Sequence, residues 1–350
     1  KQVMDAPLRD HRSAVDWVLR WLVSSSSGIQ PIRSLADIHA VGHRVVHGGP
    51  RYRSAVRVDD EVLAYLDSIS DLAPLHNPRA VSAIRAVDRL LPELPRVAAF
   101  DTAFHATIPD EAATYALPRE WNHEFGLRRY GFHGLSHAYA VRRGAEVAGA
   151  DPSSARIVTC HLGAGASLCA VRGGRSVDTT MGFTPLAGLV MQTRVGSVDP
   201  GILLWLLEHG GVDAPTLSSV LEHQSGLKGL SGTSGDLRDL LEARAAGDGD
   251  ARLAFDVYVH RLVREIGAMA ASADGLDVLV FTGGMGEHSP ELRSATTDRL
   301  AHLGVGLDPT IEVHGDRDVS TADARVRTVV VSAAEDVEVA RETRELLAGG

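Results

Sequence analysis

The sequence predicts an α/β protein with mixed sheets flanked by helices. Three observations lead there. Apolar runs of strand length alternate with stretches of helical period, a Gly-Gly hairpin signal interrupts the alternation, and glycine-rich turns follow directly on strand-like runs. At the start, Val15, Val18, Leu19 and Leu22 recur at helical spacing and predict a helix over about 13–23. The serines before Gly28 read as a flexible linker over 24–28. No strand precedes them and no Gly-Lys-Ser/Thr follows, as a phosphate loop would require.

Asp59 and Asp60 are N-cap candidates for a helix to about 70, and a second helix is expected over 78–91, stopped by Pro92. A buried strand is expected over 96–100, a helix over 134–148, and strands over 156–162 and 167–172, separated by a glycine-rich turn. Gly173-Gly174 signals a hairpin into 175–178. Helices follow near 200–209, 236–246 and 251–273. A strand over 278–281 enters Gly283-Gly284, and a last strand over 328–332 precedes a helix over 335–347.

The 350 residues are 44% apolar, 23% charged and only 5% aromatic, so the cores should rest on Val, Leu, Ile and Ala. A formal net charge of -10 argues against a general nucleic-acid binder, yet a few local arginines can still receive an anionic substrate. Cys160 and Cys169 lack a metal-type spacing and read as buried thiols of a reducing compartment. The longest strongly apolar run, 202–207, is too short to cross a bilayer, and no signal peptide is visible. A cytoplasmic enzyme is expected, without membrane or nucleic-acid partners.

Four features suit an anion-handling site. Arg44 and several histidines sit in glycine-rich turns, at 42–49 and 131–134. Glycine turns follow strands at 161–166 and 281–286, Asp101 ends a strand, and Arg194 lies in the loop 191–196. Glycines let backbone N–H groups approach phosphate oxygens, a strand-end carboxylate can hold Mg²⁺ directly or through water, and arginines neutralise a transferring phosphoryl. Singly, each feature is an ordinary turn or cap. The i, i+4 pairs His43/His47 and His133/His137 raise a zinc hydrolase. The first pair lies in a β-like run, however, and the second lacks the Glu of His-Glu-x-x-His.

The strings themselves resemble the acetate kinase family. They are Gly42-His43-Arg44-Val45-Val46-His47-Gly48-Gly49, Leu72-Ala73-Pro74-Leu75-His76-Asn77-Pro78, Phe100-Asp101-Thr102-Ala103-Phe104-His105 and Arg129-Tyr130-Gly131-Phe132-His133-Gly134. His161-Leu162-Gly163 follows, then Asp178-Thr179-Thr180-Met181-Gly182-Phe183-Thr184-Pro185-Leu186, Phe281-Thr282-Gly283-Gly284-Met285-Gly286-Glu287 and Glu335. The resemblance implies a two-domain actin, sugar kinase and Hsp70-like fold, divided as 1–103 plus 337–350 and 104–336, with the active site in the cleft. It implies the reaction ATP + acetate = ADP + acetyl phosphate, with Mg²⁺ or alternatively Mn²⁺, in a homodimer.

By the same resemblance, Arg44 and Arg194 bind the carboxylate and the transferring phosphoryl, and His133 stabilises the transition state. His76 and His161 line the phosphate path, while Asp101 and Glu335 position the metal. Val46, Leu75, Phe132 and Pro185 enclose the substrate methyl, in a pocket that should prefer acetate to propionate only modestly. Gly163, Gly165 and the loop from Gly283 to His288, with Gly284, Met285 and Gly286, take the nucleotide. Departures are Ala164 for an Asn, Ala187 for a Glu, Gln192, Val195 and Ser197 in the Arg194 loop, and His288 for an Asn. The family's Asn-x-Gly-Ser-Ser-Ser-x-Lys segment is expected ahead of Lys1, inside a longer natural protein. A propionate, butyrate or pyrophosphate-dependent acyl kinase, and a nucleotide-binding regulatory protein without turnover, stay open.

Overall fold

The computed structural model describes residues 11–24, 32–74 and 76–349; most of the expected linker, from 25 on, and Leu75 lie outside them. The chain forms two units. One holds the residues up to Ala103 and those from Asp336 on, and the other is Phe104–Glu335.

In the first unit, β1 (Val41–Val45) and β2 (Val56–Arg57) flank β3 (Arg96–Phe100), β1 parallel and β2 antiparallel to it. Helix α1 (His11–Leu22) packs against α3 (Asn77–Leu90), and α2 (Asp60–Ser68) also lies against α3. Asp59 caps α2 by accepting the Val62 N–H at 2.8 Å. Val45, Val62, Leu66, Ile84 and Phe100 make the core, each such side chain contributing about 1.5–3 kcal/mol on burial.

The second unit opens with the short helices α4 (Asp110–Ala113) and α5 (Arg119–Glu124), then α6 (Gly134–Ala148). Its sheet holds β4 (Arg156–Leu162), β5 (Ala166–Arg172), β6 (Arg175–Thr179), β7 (Val278–Thr282), β8 (Arg317–Asp318) and β9 (Arg327–Val330), in the order β6-β5-β4-β7-β9-β8. Between β6 and β7 run α7 (Pro200–His209), α8 (Ala214–His223), α9 (Gly226–Ser231), α10 (Leu237–Ala245) and the long α11 (Gly249–Ser272). Helices α12 (Gly283–His288) and α13 (Pro290–Thr297) follow β7, and the last helix, α14 (Glu335–Ala348), belongs from Asp336 on to the first unit. Strands β4, β7 and β9 are mutually parallel, and their near-continuous apolar runs fit burial on both faces. Helix α6 covers the face bearing Ile157, Val278, Val280 and Val329. Helix α11 lies against β4, β5 and β6. Both cysteines are buried and unbridged, with burial raising the Cys169 thiol to about 12.

The register pairs His161 with Thr282, so the carboxyl ends of β4 and β7 stand side by side. Gly283, at φ +77°, turns the chain from β7 straight into α12, and a Cβ there would lie 2.9–3.0 Å from the Leu162 backbone. Where the sequence suggested a loop over 281–286, the chain is therefore helical from Gly283. A left-handed residue lets the helix begin without a connecting segment. Gly283→Ala should cost about 2 kcal/mol or more from the αL conformation and the backbone clash. That lowers Tm by about 4 °C or more in thermal unfolding. The control Gly284→Ala, with nothing within 4 Å, should leave Tm unchanged.

A polar layer lies between α6 and the sheet. His105 and His137 are fully buried there, and burial holds the His105 imidazole at about 4 and His137 well below its ordinary value. Both are neutral in the folded state, whereas the unfolded chain protonates near 6.5. The stability that depends on neutral His105 is complete above about pH 6.5 and is lost as the pH falls toward 4, roughly 2 kcal/mol at pH 5, and His137 acts in the same direction. Calorimetry should show Tm falling between pH 7 and 5; a flat or rising Tm contradicts this account.

Candidate active site

In the first unit, Arg44 and Asp101 emerge where the parallel strands β1 and β3 end, the place where open α/β sheets collect ligands. Two guanidinium nitrogens grip the carboxylate, Nε to Oδ1 at 3.0 Å and Nη2 to Oδ2 at 2.7 Å. Asp101 is buried, while the Arg44 side chain keeps 42% of its surface exposed. Burial raises the Asp101 carboxyl, and Arg44, with a smaller effect from His76, opposes that rise. Asn77 at the start of α3 fixes the strand end, accepting the His47 N–H and donating to the His47 carbonyl. Val46 is half-buried beside this pair.

In the second unit, His133 caps α6 with φ 56° and ψ 23°, a left-handed conformation unusual for a residue with a side chain. The turn before it is held by His105, whose Nε2–H donates to the carbonyl of Phe132, itself fully buried, at 2.9 Å. The His133 Nδ1 meets the Ser167 hydroxyl at 2.9 Å, and the imidazole lies 4.4 Å from the His161 ring, centre to centre. His161 in turn meets Ser136 at 2.7 Å. The sequence pair His133/His137 thus converges on the hydroxyl of Ser167, with His137 Nε2 at 2.8 Å.

Arg194 donates from Nη1 to the Pro185 carbonyl at 3.2 Å. Burial lowers its guanidinium, with the Glu222 field opposing, and among the described residues no carboxylate forms a salt bridge with it. Gly165 joins the two groups: a Cβ there would lie 3.4 Å from both His133 Nε2 and Arg194 Nη1. The bare glycine keeps open a space into which a guanidinium and an imidazole both point, a site suited to a phosphoryl oxygen.

A cavity of about 610 Å³ lies beside these groups, within the usual range for small-molecule sites. Gly163 and Ala164 form one wall, Gly284, Met285 and His288 of α12 another, and Asp236, Leu237, Arg238 and Leu241 at the start of α10 a third. Gly283 and Gly286 are buried supports of α12 and not part of the lining. The α10 wall was not foreseen from the sequence. Asp236 caps the helix and pairs with Arg238 at 2.7 Å, which holds its carboxyl at about 2. Such a pattern marks any helix start, and nothing in it announces a ligand. Glu335 opens α14 after a turn whose Ala333 N–H donates to Glu287 of α12 at 2.9 Å.

Comparison with known proteins bears on this arrangement. A profile of the Acetokinase family matches residues 1–341. Acetate kinase of Pseudothermotoga lettingae is 43% identical over 352 residues, covering 100% of this chain and 86% of that protein. The crystal structure of Porphyromonas gingivalis acetate kinase superposes with a TM-score of 0.93 at 38% identity, covering 99% of this chain and 87% of the other. A propionate kinase from Francisella tularensis superposes with a TM-score of 0.88 at 36% identity, covering 96% and 84%. The chain belongs to the acetokinase family.

Proposed function

We propose that the protein transfers a phosphoryl group between ATP and acetate, giving ADP and acetyl phosphate. The observation that carries this reading is the convergence of Arg194 and His133 over Gly165, in a chain matched along most of its length by acetate kinases. A carboxylate oxygen is already a nucleophile at neutral pH, so no general base is required. The acetate oxygen attacks the γ-phosphorus in line as the bond to ADP breaks, and catalysis consists of positioning and charge stabilisation. Arg194 neutralises charge on the equatorial oxygens, and His133 donates a hydrogen bond to them. Arg44, oriented by Asp101, receives the acetate carboxylate or the phosphoryl, with His76 and His161 along the phosphate path. Val46, Leu75, Phe132 and Pro185 are assigned to the methyl group by the family resemblance. The cavity walled by α10 and α12 takes the nucleoside.

Asp101 and Glu335 offer the hard carboxylate oxygens that Mg²⁺ or Mn²⁺ takes alongside substrate phosphates and water. Asp101 accepts from Arg44 and would turn its remaining lone pairs toward such an ion. Such an ion would supply positive charge that offsets that of the phosphates.

The partner is a second copy of the chain. Helix α7 reads Pro-Gly-Ile-Leu-Leu-Trp-Leu-Leu-Glu-His, has no buried residue and leaves Leu204 and Trp205 more than half exposed. So large an apolar face on one helix supports an interface.

Trapping acyl phosphate as the hydroxamate in the full-length protein should show MgATP-dependent product from acetate, with the rate in Arg194→Ala lower by about 10³-fold. Retention of the parental rate in that variant removes Arg194 from the mechanism, and no acyl phosphate from any carboxylate rejects the kinase reading. Light scattering coupled to size exclusion should give a dimer, converted to monomer by Leu204→Glu with Trp205→Glu. An unchanged mass in that variant places the interface elsewhere.

A further inference from the structure

We propose that Thr159, His137 and Ser167 form a one-way hydrogen-bond relay that holds His133 in its Nε2–H tautomer, making them positioning residues for the group that meets the transferring phosphoryl. The inference rests on the role given to His133 above. It follows from counting protons in a sealed space.

Thr159, His137 and Ser167 are each fully buried. His137 Nδ1 stands 2.7 Å from Thr159 Oγ1, His137 Nε2 stands 2.8 Å from Ser167 Oγ, and Ser167 Oγ stands 2.9 Å from His133 Nδ1. Among the described residues the Thr159 hydroxyl has one hydrogen-bond partner, His137 Nδ1. Its single proton therefore has one acceptor, because a buried hydroxyl proton without an acceptor is strongly disfavoured. His137 Nδ1 then accepts. The ring is neutral in its buried setting, so its one proton sits on Nε2 and is donated to Ser167.

Ser167 accepts that proton and has its own to give, and its remaining neighbour is His133 Nδ1. Accepting at Nδ1 leaves neutral His133 with its proton on Nε2, the nitrogen that lies with Arg194 Nη1 about the open space over Gly165. The opposite direction would put a proton on Nδ1 and a lone pair on Nε2, facing an anion with an acceptor. A strand threonine with no acceptor beyond the imidazole thus selects a donor at the far end of the chain. Because the relay is buried, water cannot reverse it.

Long-range ¹H–¹⁵N spectra of the histidine side chains, with the His133 signal identified by its loss in His133→Gln, test the relay in the full-length protein at pH 8. The expected result is a neutral Nε2–H tautomer for His133. Thr159→Val should turn this into a mixture of tautomers, because the isosteric methyl removes the proton that sets the direction. In the same variant kcat should fall about 10–100-fold with KM nearly unchanged, by analogy with the loss of outer partners that orient metal-ligating histidines. Thr159→Ser should restore both readouts. A His133 found as the Nδ1–H tautomer or as imidazolium in the parent protein overturns the proposal, as does a His133 tautomer unmoved by Thr159→Val. The spectra need no turnover. The relay can therefore fail while the kinase reading stands, and a relay observed in a protein without acyl-phosphate formation counts against the kinase reading alone.

Discussion

In-register parallel pairing of β4 with β7 is the constraint on which the rest of the second unit depends. Parallel strands cannot be joined by a hairpin, so a long crossover has to leave β6 and return to β7 from the other end. Because His161 faces Thr282 across the ladder, the turns after both strands open at the same edge. There the chain has discarded side chains, at Gly163 and Gly165 after β4 and at Gly283 and Gly284 after β7. A one-residue slip would exchange the side chains packed under α6 for those on the opposite face and move the two glycine turns out of alignment. The register that makes the core also sets the two glycine turns side by side.

That edge has to hold positive charge without being neutralised from within. Arg194 is held by a carbonyl rather than a carboxylate, so its charge is oriented but not cancelled. In the first unit, at the separate edge where β1 and β3 end, a buried aspartate fixes the geometry of Arg44. Neither part of that pair is easily removed: burial disfavours the bare carboxylate, and the arginine is what offsets it. The histidines between α6 and the sheet complete the arrangement, because neutral imidazoles and hydroxyls can orient a donor without adding charge that would compete with the substrate.

Much of this was legible in the sequence, and unevenly so. The strands at 96–100 and 156–162 and the helices at 134–148 and 200–209 occupy the residues that apolar period and punctuation mark. Short elements were not anticipated: α9, α13 and the two-residue β2 and β8 are too brief to establish a period, α8 was missed although it is as long as α7, and α12 is concealed by glycines that look like a loop. For the site, motif residues such as Arg44, Asp101, His133 and Arg194 stand in unusual strings. Asp236 and Arg238 do not, because they resemble any capped helix start. Thr159 and Ser167 were invisible, being hydroxyl residues inside strands. Only the sheet, by setting β4 beside β5 under α6, turns them into partners of His137.

Three of the departures from the family strings share a location. Ala164, Gln192 and His288 all line the one cavity beside the phosphate-facing edge, whereas His133, Arg194 and Gly165 retain their types around the space over Gly165. The two regions answer to different energetic demands. Groups that face the transferring phosphoryl act on charge that exists only as the bond breaks, so altering them changes the rate of the chemical step. Under the proposed function, groups that wall the cavity would contact a part of the donor that is the same before and after transfer, and altering them would shift ground state and transition state together. Variation in the cavity can therefore retune the grip on the donor while the chemistry over Gly165 stays intact, because the cavity wall on α10 and the relay beneath α6 have no residue in common.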